Sequence, residues 1–204
     1  MRQSAFFIVL GYLSGSVLFA NVFAALMKKD GIIEKSKDGN PGTANAFQYG
    51  GFLCGICTLL GDLVKGFFPV YLYTHYAKAY SATGIAFALV IAAPVIGHDF
   101  PLFYKFQGGK GIATTFGCML GLLPLWQPLG MLVVFFILFS VVLRISPHFY
   151  RTVAAYVCTL ACMIYSCRRS VWIGFLIITS VVFYRLHTSR ETRERIRINL
   201  LWMH

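Results

Sequence analysis

Residues 49–73 read YGGFLCGICTLLGDLVKGFFPVYLY, a run of twenty-five in which Asp62 and Lys65 are the only charged side chains. A helix needs about twenty apolar residues to cross the hydrocarbon core of a bilayer, so this run predicts a membrane span. Outward from it, six more segments share the character: Ser4–Met27, Ser81–Gly97, Ile112–Leu123, Pro128–Leu143, Thr152–Ser166 and Val171–His187. Ile112–Leu123 is short for a complete crossing and reads as tilted, re-entrant or buried among its neighbours. These segments use most of the 204 residues and leave no room for a separate globular domain. With 58% apolar and 12% charged residues, and a mean hydropathy of +0.70, the chain has too little charge to cover a soluble surface. The expectation is an all-α integral membrane protein, one membrane domain over residues 1–204 with about seven transmembrane helices. Met1–Gln3 ahead of a long apolar run looks like the start of a signal peptide, but the spans that follow favour a retained first helix.

Three small-residue pairs, Gly11-x-x-x-Gly15, Gly51-x-x-x-Gly55 and Gly117-x-x-x-Gly121, suit close helix packing in lipid and say little about chemistry. The six cysteines all lie in or beside apolar segments. They read as small buried hydrophobes, Cys54-x-x-Cys57 included, and no ligand cluster has zinc spacing.

The net charge of +11 suggests nucleic acid at first. That partner is excluded because the basic residues sit in short connections between apolar runs, not along one solvated face. In a membrane protein such charge fixes topology and holds anionic groups. Thirteen Lys and Arg fall in residues 28–48, 98–110, 144–151 and after Val182; only Arg2, Lys78, Arg168 and Arg169 fall on the other side. This places the N-terminus outside and the C-terminus in the cytoplasm.

Two connections on that cytoplasmic side are unlike passive loops. Residues 28–48 (KKDGIIEKSKDGNPGTANAFQ) are longer than packing requires, and residues 97–111 (GHDFPLFYKFQGGKG) combine His, Lys, aromatics and glycines. Each runs from a glycine-rich turn into a helix, which is a recipe for holding phosphate. Glycine lets backbone N–H groups turn inward, and the helix start is positive. The candidate cradles are Gly39–Gly42 with Thr43 and Asn45, and Gly108-Gly109-Lys110-Gly111 with Thr114. Taken singly, each set of glycines also fits a tight turn at the membrane surface. Neither is a P-loop. His98 reads either as a helix-end cap or as part of the second loop. Asp62 and Lys65, three apart, read as an intramembrane pair that orients helices; a proton relay or transporter is the rival. Arg151, beside Tyr150 and Thr152, reads as a basic cluster or a topology anchor. No G-x-S-x-G elbow is present, so an enzyme here would work by orientation and electrostatics on an already activated donor.

These residues resemble a known family. Gly11-Tyr12-Leu13-Ser14-Gly15-Ser16, Gly39-Asn40-Pro41-Gly42-x-x-Asn45, Asp62-Leu63-x-Lys65-Gly66, Gly97-His98-x-Phe100-Pro101 and Phe106-x-Gly108-Gly109-Lys110-Gly111-x-Ala113-Thr114 look like the acyl-phosphate:glycerol-3-phosphate acyltransferases of the PlsY type. The motifs run from residue 5 to about 115; beyond that, to about 190, the likeness is of topology and length. The resemblance implies a bacterial inner-membrane enzyme that moves a fatty acyl group from acyl phosphate to the first hydroxyl of glycerol 3-phosphate. The product would be lysophosphatidic acid, with no metal or coenzyme A required. Implied partners are acyl phosphate, a small polar acceptor and membrane lipids; a monomer is the expectation, although the sequence does not give the oligomeric state. On this reading Gly39, Gly42, Gly108, Gly109, Gly111 and Lys110 hold phosphate and stabilise an oxyanion. Asn40, Asn45 and His98 shape the loops, and Asp38 or a phosphate oxygen takes the hydroxyl proton.

The chain departs from the family pattern in three places. A serine of the first glycine loop is replaced in Lys37-Asp38-Gly39-Asn40, and an arginine three residues past Asn45 is Gln48. A C-terminal Tyr-Arg-His-x-x-Asn pattern is displaced to Tyr184-Arg185-Leu186-His187 without the asparagine. Ser36 or His187 would substitute if the loop or helix slips. Both of the first two changes make the site less positive. They leave open an acceptor that is less anionic or carries an amine, a non-catalytic binder of lipid or acyl phosphate, and a small transporter.

Overall fold

Helix forms in each of the seven apolar segments, and the departures from the expected boundaries fall where they shape the two glycine-bearing connections. The computed structural model describes residues 2–29, 31–36, 38–76, 84–189 and 195–200. Met1, Lys37, Lys78, residues 81–83, Arg190 and Arg193, which enter the expectations above, lie outside the described residues. The first segment is broken: α1 (Arg2–Gly15) and α2 (Phe19–Leu26) meet at 43°. Gly15 and Ser16 sit at the break, a pairing that commonly kinks helices. The connection expected to be a polar loop holds two short helices, α3 (Ile32–Lys35) and α4 (Thr43–Gly50).

The longest helix, α5 (Phe52–Tyr76), has twenty-five residues, and α6 (Ile85–Asp99) follows. Then come α7 (Ile112–Leu120), α8 (Gln127–Ile137, continued by a π turn to Val142), α9 (His148–Ser166) and α10 (Arg169–Thr188). Two-residue strands β1 (Ile145–Ser146) and β2 (Arg197–Ile198) pair antiparallel and bring the tail to the α8–α9 connection. Among the described residues three helical stretches are long and apolar enough to cross a membrane: α5, Ile85–Tyr104 and α10; the bent α1–α2 pair makes a fourth.

Helix α6 is apolar around its whole circumference, as a helix surrounded by others must be. Phe87, Val90, Ile91 and Val95 are buried against Tyr156 of α9 and Phe175 and Ile178 of α10. Glycines set how closely α6 and its neighbours approach. A Cβ on Gly97 would fall 2.1 Å from the Tyr12 carbonyl oxygen of α1, and one on Gly117 2.1 Å from that of Leu63 in α5. Backbone touches backbone at both crossings, which a larger residue forbids. The Gly51–Gly55 pair does not act as a helix crossing: Gly51 precedes α5 and a Cβ there meets nothing, and Gly55 faces the ring of Phe47 in α4. A separate cluster of Ala20, Ile32, Ala46 and Cys54 holds α2, α3 and α4 against α5. Large apolar side chains such as Phe6, Phe52, Val64, Phe68 and Ile85 point outward, as lipid-facing helices require.

Candidate active site

Both glycine loops end at the start of a helix, and the fold brings the two starts to one cavity of about 580 Å³. The first loop contributes Asp38, Asn40, Gly42, Thr43 and Asn45, and the second contributes Lys110 and Gly111. Asp62 and His98 complete the polar wall, while Leu59, Ile112, Ala113 and Phe116 make an apolar one. His148 and Arg151, at the start of α9, also reach it.

In the first loop Gly39 has a φ of 63°, a left-handed turn that glycine adopts without strain. The turn aims Asp38 across the cavity. Its Oδ2 lies 2.9 Å from Lys110 Nζ, and its Oδ1 accepts from Asn45 Nδ2 at 2.8 Å and from the Asn40 amide at 3.2 Å. Burial by itself raises the Asp38 carboxyl. The Lys110 ammonium, the Asn45 amide and the Asn40 N–H outweigh burial and hold it below its ordinary value. Asn45 Nδ2 also donates to the Asn40 carbonyl at 2.7 Å and closes the turn.

Gly111, with φ 63°, turns the second loop into α7. The loop is seated on the end of α6: the Gly109 amide donates to the His98 carbonyl at 3.1 Å. The His98 ring packs so closely that a Cβ on Gly109 would fall 2.1 Å from its Nε2. From the other side Arg185 of α10 donates through Nε to the Gly109 carbonyl at 3.2 Å, and through Nη2 to the Gly108 carbonyl.

A buried polar chain ties the loops together through α5. Thr43 donates its hydroxyl to Asp62 Oδ2 at 3.4 Å, and Asp62 Oδ1 is ion-paired with Lys65 at 2.8 Å. Lys65 Nζ then donates to the Val17 carbonyl, freed by the α1–α2 break, and meets His98 Nδ1, both at 2.7 Å. An ammonium has only donors, so His98 Nδ1 accepts and the ring proton sits on Nε2, facing the second loop. The pair expected to orient helices thus orients the two loops.

Of the residues singled out in the sequence, Asp38, Asn40, Gly42, Thr43, Asn45, His98, Lys110, Gly111 and Arg151 line the cavity. Gly39, Gly108 and Gly109 shape the loops without lining it. Ser36 is buried but off the wall, and Thr114, in the first turn of α7, is fully buried and off it too. His187 is exposed in the last turn of α10 and does not reach the cavity; Arg185, two residues earlier, is the α10 side chain that meets the second loop. Gln48 is likewise exposed and off the wall. Arg185, His148 and Asp62 were not singled out as site residues. Arg185 had two signals, its place in the displaced Tyr184-Arg185-Leu186-His187 pattern and at the end of the last apolar segment.

The profile of the family described as glycerol-3-phosphate acyltransferase matches residues 5–195. The glycerol-3-phosphate acyltransferase of Paraburkholderia phytofirmans is 37% identical over 123 residues, 60% of this chain and 57% of that protein. That of Coxiella burnetii (strain CbuG_Q212) is 36% identical over 159 residues, 78% of this chain and 76% of its own length. The match thus spans under two thirds of the Paraburkholderia relative. The crystal structure of PlsY, an integral membrane glycerol 3-phosphate acyltransferase, in its glycerol 3-phosphate form matches the fold with a TM-score of 0.76 at 24% identity, covering 90% of this chain and 88% of that one. Its lysophosphatidic acid form gives 0.70 at 25% identity, over 90% and 87%.

Proposed function

The chain belongs to the glycerol-3-phosphate acyltransferase family, and on that premise we propose that it transfers a fatty acyl group from acyl phosphate to the first hydroxyl of glycerol 3-phosphate. The product is lysophosphatidic acid, made for phospholipid synthesis at the cytoplasmic face of a bacterial cell membrane. The observation that supports this best is the meeting of two glycine loops across one cavity, with Lys110 and Asp38 at 2.9 Å.

In the reaction the acceptor hydroxyl oxygen attacks the acyl carbonyl carbon, the carbon–oxygen bond to phosphate breaks, and inorganic phosphate leaves. Backbone N–H groups of the loops and Lys110 hold the phosphates and stabilise the oxyanion. The apolar wall of Leu59, Ile112 and Phe116 receives the start of the acyl chain. The hydroxyl proton passes to Asp38 or to the departing phosphate. While paired with Lys110, Asp38 is a weak base; a phosphate that draws Lys110 away restores its basicity.

The Asp38–Lys110 pair also favours a second reading. A carboxylate beside a phosphate repels it by ~1–4 kcal/mol at 4 Å for dielectrics between bulk water and a protein surface. On this reading the acceptor is less anionic than glycerol 3-phosphate, a neutral polyol or an amine. Detergent-purified protein given labelled acyl phosphate separates the two. Label appearing in lysophosphatidic acid only when glycerol 3-phosphate is present supports the first. Transfer only to another acceptor supports the second, and binding without turnover refutes both.

A further inference from the structure

We propose that Arg185 is the positioning residue of the Gly108–Gly111 loop: from behind the cavity it holds two loop carbonyls outward, so that the Lys110 amide and side chain face the anion. The inference rests on the reading above that this loop receives a phosphate. Arg185 is not on the cavity wall, and its guanidinium takes the Gly109 carbonyl through Nε and the Gly108 carbonyl through Nη2. The Phe100 ring centroid lies 5.6 Å from its Cζ, and Tyr184 packs on Phe100 with ring centroids 5.7 Å apart. The fork is therefore held in place by the aromatic end of α6 and by its own helix.

The consequence follows from peptide geometry. In a trans peptide the C=O and the next N–H point opposite ways. With the Gly108 carbonyl on Arg185, the Gly109 amide must point away from it, and it does, donating to the His98 carbonyl at 3.1 Å. With the Gly109 carbonyl also on Arg185, the Lys110 amide is turned to the opposite side of the loop. Lys110 and Gly111 form the cavity wall there.

Such a loop needs an outside clamp. Glycine peptides flip at little cost, and a flip at Gly109–Lys110 would put a carbonyl oxygen where a phosphate must sit. Rigidity cannot come from a side chain at Gly109, because a Cβ would fall 2.1 Å from His98 Nε2. A planar fork holds two adjacent carbonyls at once, whereas an ammonium on a flexible stem does not fix both.

The test uses the full chain in detergent, with inorganic phosphate as the probe, titrated by calorimetry, alongside kcat and KM for acyl phosphate. Arg185→Ala is expected to weaken phosphate binding and kcat/KM by roughly tenfold or more while the melting temperature stays near wild type. Arg185→Lys should fall between the two. Wild-type phosphate affinity in Arg185→Ala overturns the proposal. So does wild-type affinity in Arg185→Lys, since a charge alone would then suffice; this variant decides the matter if Arg185→Ala does not fold. A wild-type protein that binds phosphate but acylates no glycerol 3-phosphate refutes the transfer reaction and leaves the clamp to be judged on binding. No phosphate binding by wild type overturns both.

Discussion

Lys110 brings a full positive charge to the cavity at a helix start, and it is 8% exposed. A charge-assisted contact made in the transition state is worth ~1.5–3 kcal/mol, so Lys110→Ala should lower kcat by roughly ten- to hundredfold. The variant should still insert and fold, and wild-type turnover would remove the second loop from the site. Asp38 makes a different prediction, about pH. Its folded pKa is depressed below the ordinary 3.8, so its pairing adds stability above that value and loses it as pH falls through the lower folded one. The difference in melting temperature between wild type and Asp38→Asn should be flat above about pH 5 and shrink in more acid buffer. A difference that grows on acidification would show that Asp38 is not held as a carboxylate. The two changes that the sequence reading coupled, at 38 and 48, come apart in the fold. Asp38 faces the cavity and Gln48 is exposed off its wall, so Asp38→Ser alone should reproduce any gain in glycerol 3-phosphate activity seen with Asp38→Ser and Gln48→Arg together. Activity measured on the single and double variants checks this. Residue type and spacing made the loops legible because glycine, lysine and asparagine carry their chemistry locally. Arg185 stood in the displaced C-terminal pattern, but its contact with the second loop was not legible in that way: its partners are two backbone carbonyls 76 and 77 positions earlier, and carbonyls leave no trace in a sequence.

At the scale of elements, the crossings of α1 with α6 and α5 with α7 seat the two loops. A branched residue at Gly117 must push α5 and α7 apart, because even its Cβ would overlap the Leu63 carbonyl. Overpacking of this kind costs ~1–3 kcal/mol or more, so Gly117→Val should lower both the melting temperature and the activity. Gly130, in α8, is the contrast. A Cβ there meets the exposed Trp126 ring at 3.2 Å, which can shift, and replacing glycine inside a helix gains about 1 kcal/mol. Gly130→Ala should therefore leave stability unchanged or slightly raised by the same thermal assay. Apolar run length showed where helix forms. It could not show the break at Ser16 or the two short helices, α3 and α4, of the connection that follows. Lys65 secures the break that Gly15 and Ser16 allow by taking the freed Val17 carbonyl, and Ala46 and Ile32 secure the inner helices by packing with Ala20 of α2 and Cys54 of α5. Both are long-range contacts that no local period encodes.

For the whole molecule, the decisive property is the side of the membrane on which the cavity opens. Both glycine loops and Arg151 meet at one cavity, so a single orientation places the entire site. The excess of Lys and Arg in residues 28–48, 98–110, 144–151 and the tail predicts that this face lies on the cytoplasmic side. The paired strands Ile145–Ser146 and Arg197–Ile198 put part of the tail at the α8–α9 connection, so tail and cavity-lining helix start share one side. A green fluorescent protein fused after His204 should then fluoresce, and alkaline phosphatase fused at the same place should stay inactive. The reverse pattern would open the cavity to the outer face, against the proposed reaction at the cytoplasmic face. Lys110 and Arg151 line the cavity and also belong to the basic excess, so binding and topology overlap there. Replacing Lys28, Lys29 and Lys35, which are off the cavity wall, with glutamine separates the two roles. If they act only on topology, the variant should lose correctly oriented protein while the molecules that remain correctly inserted keep wild-type kcat.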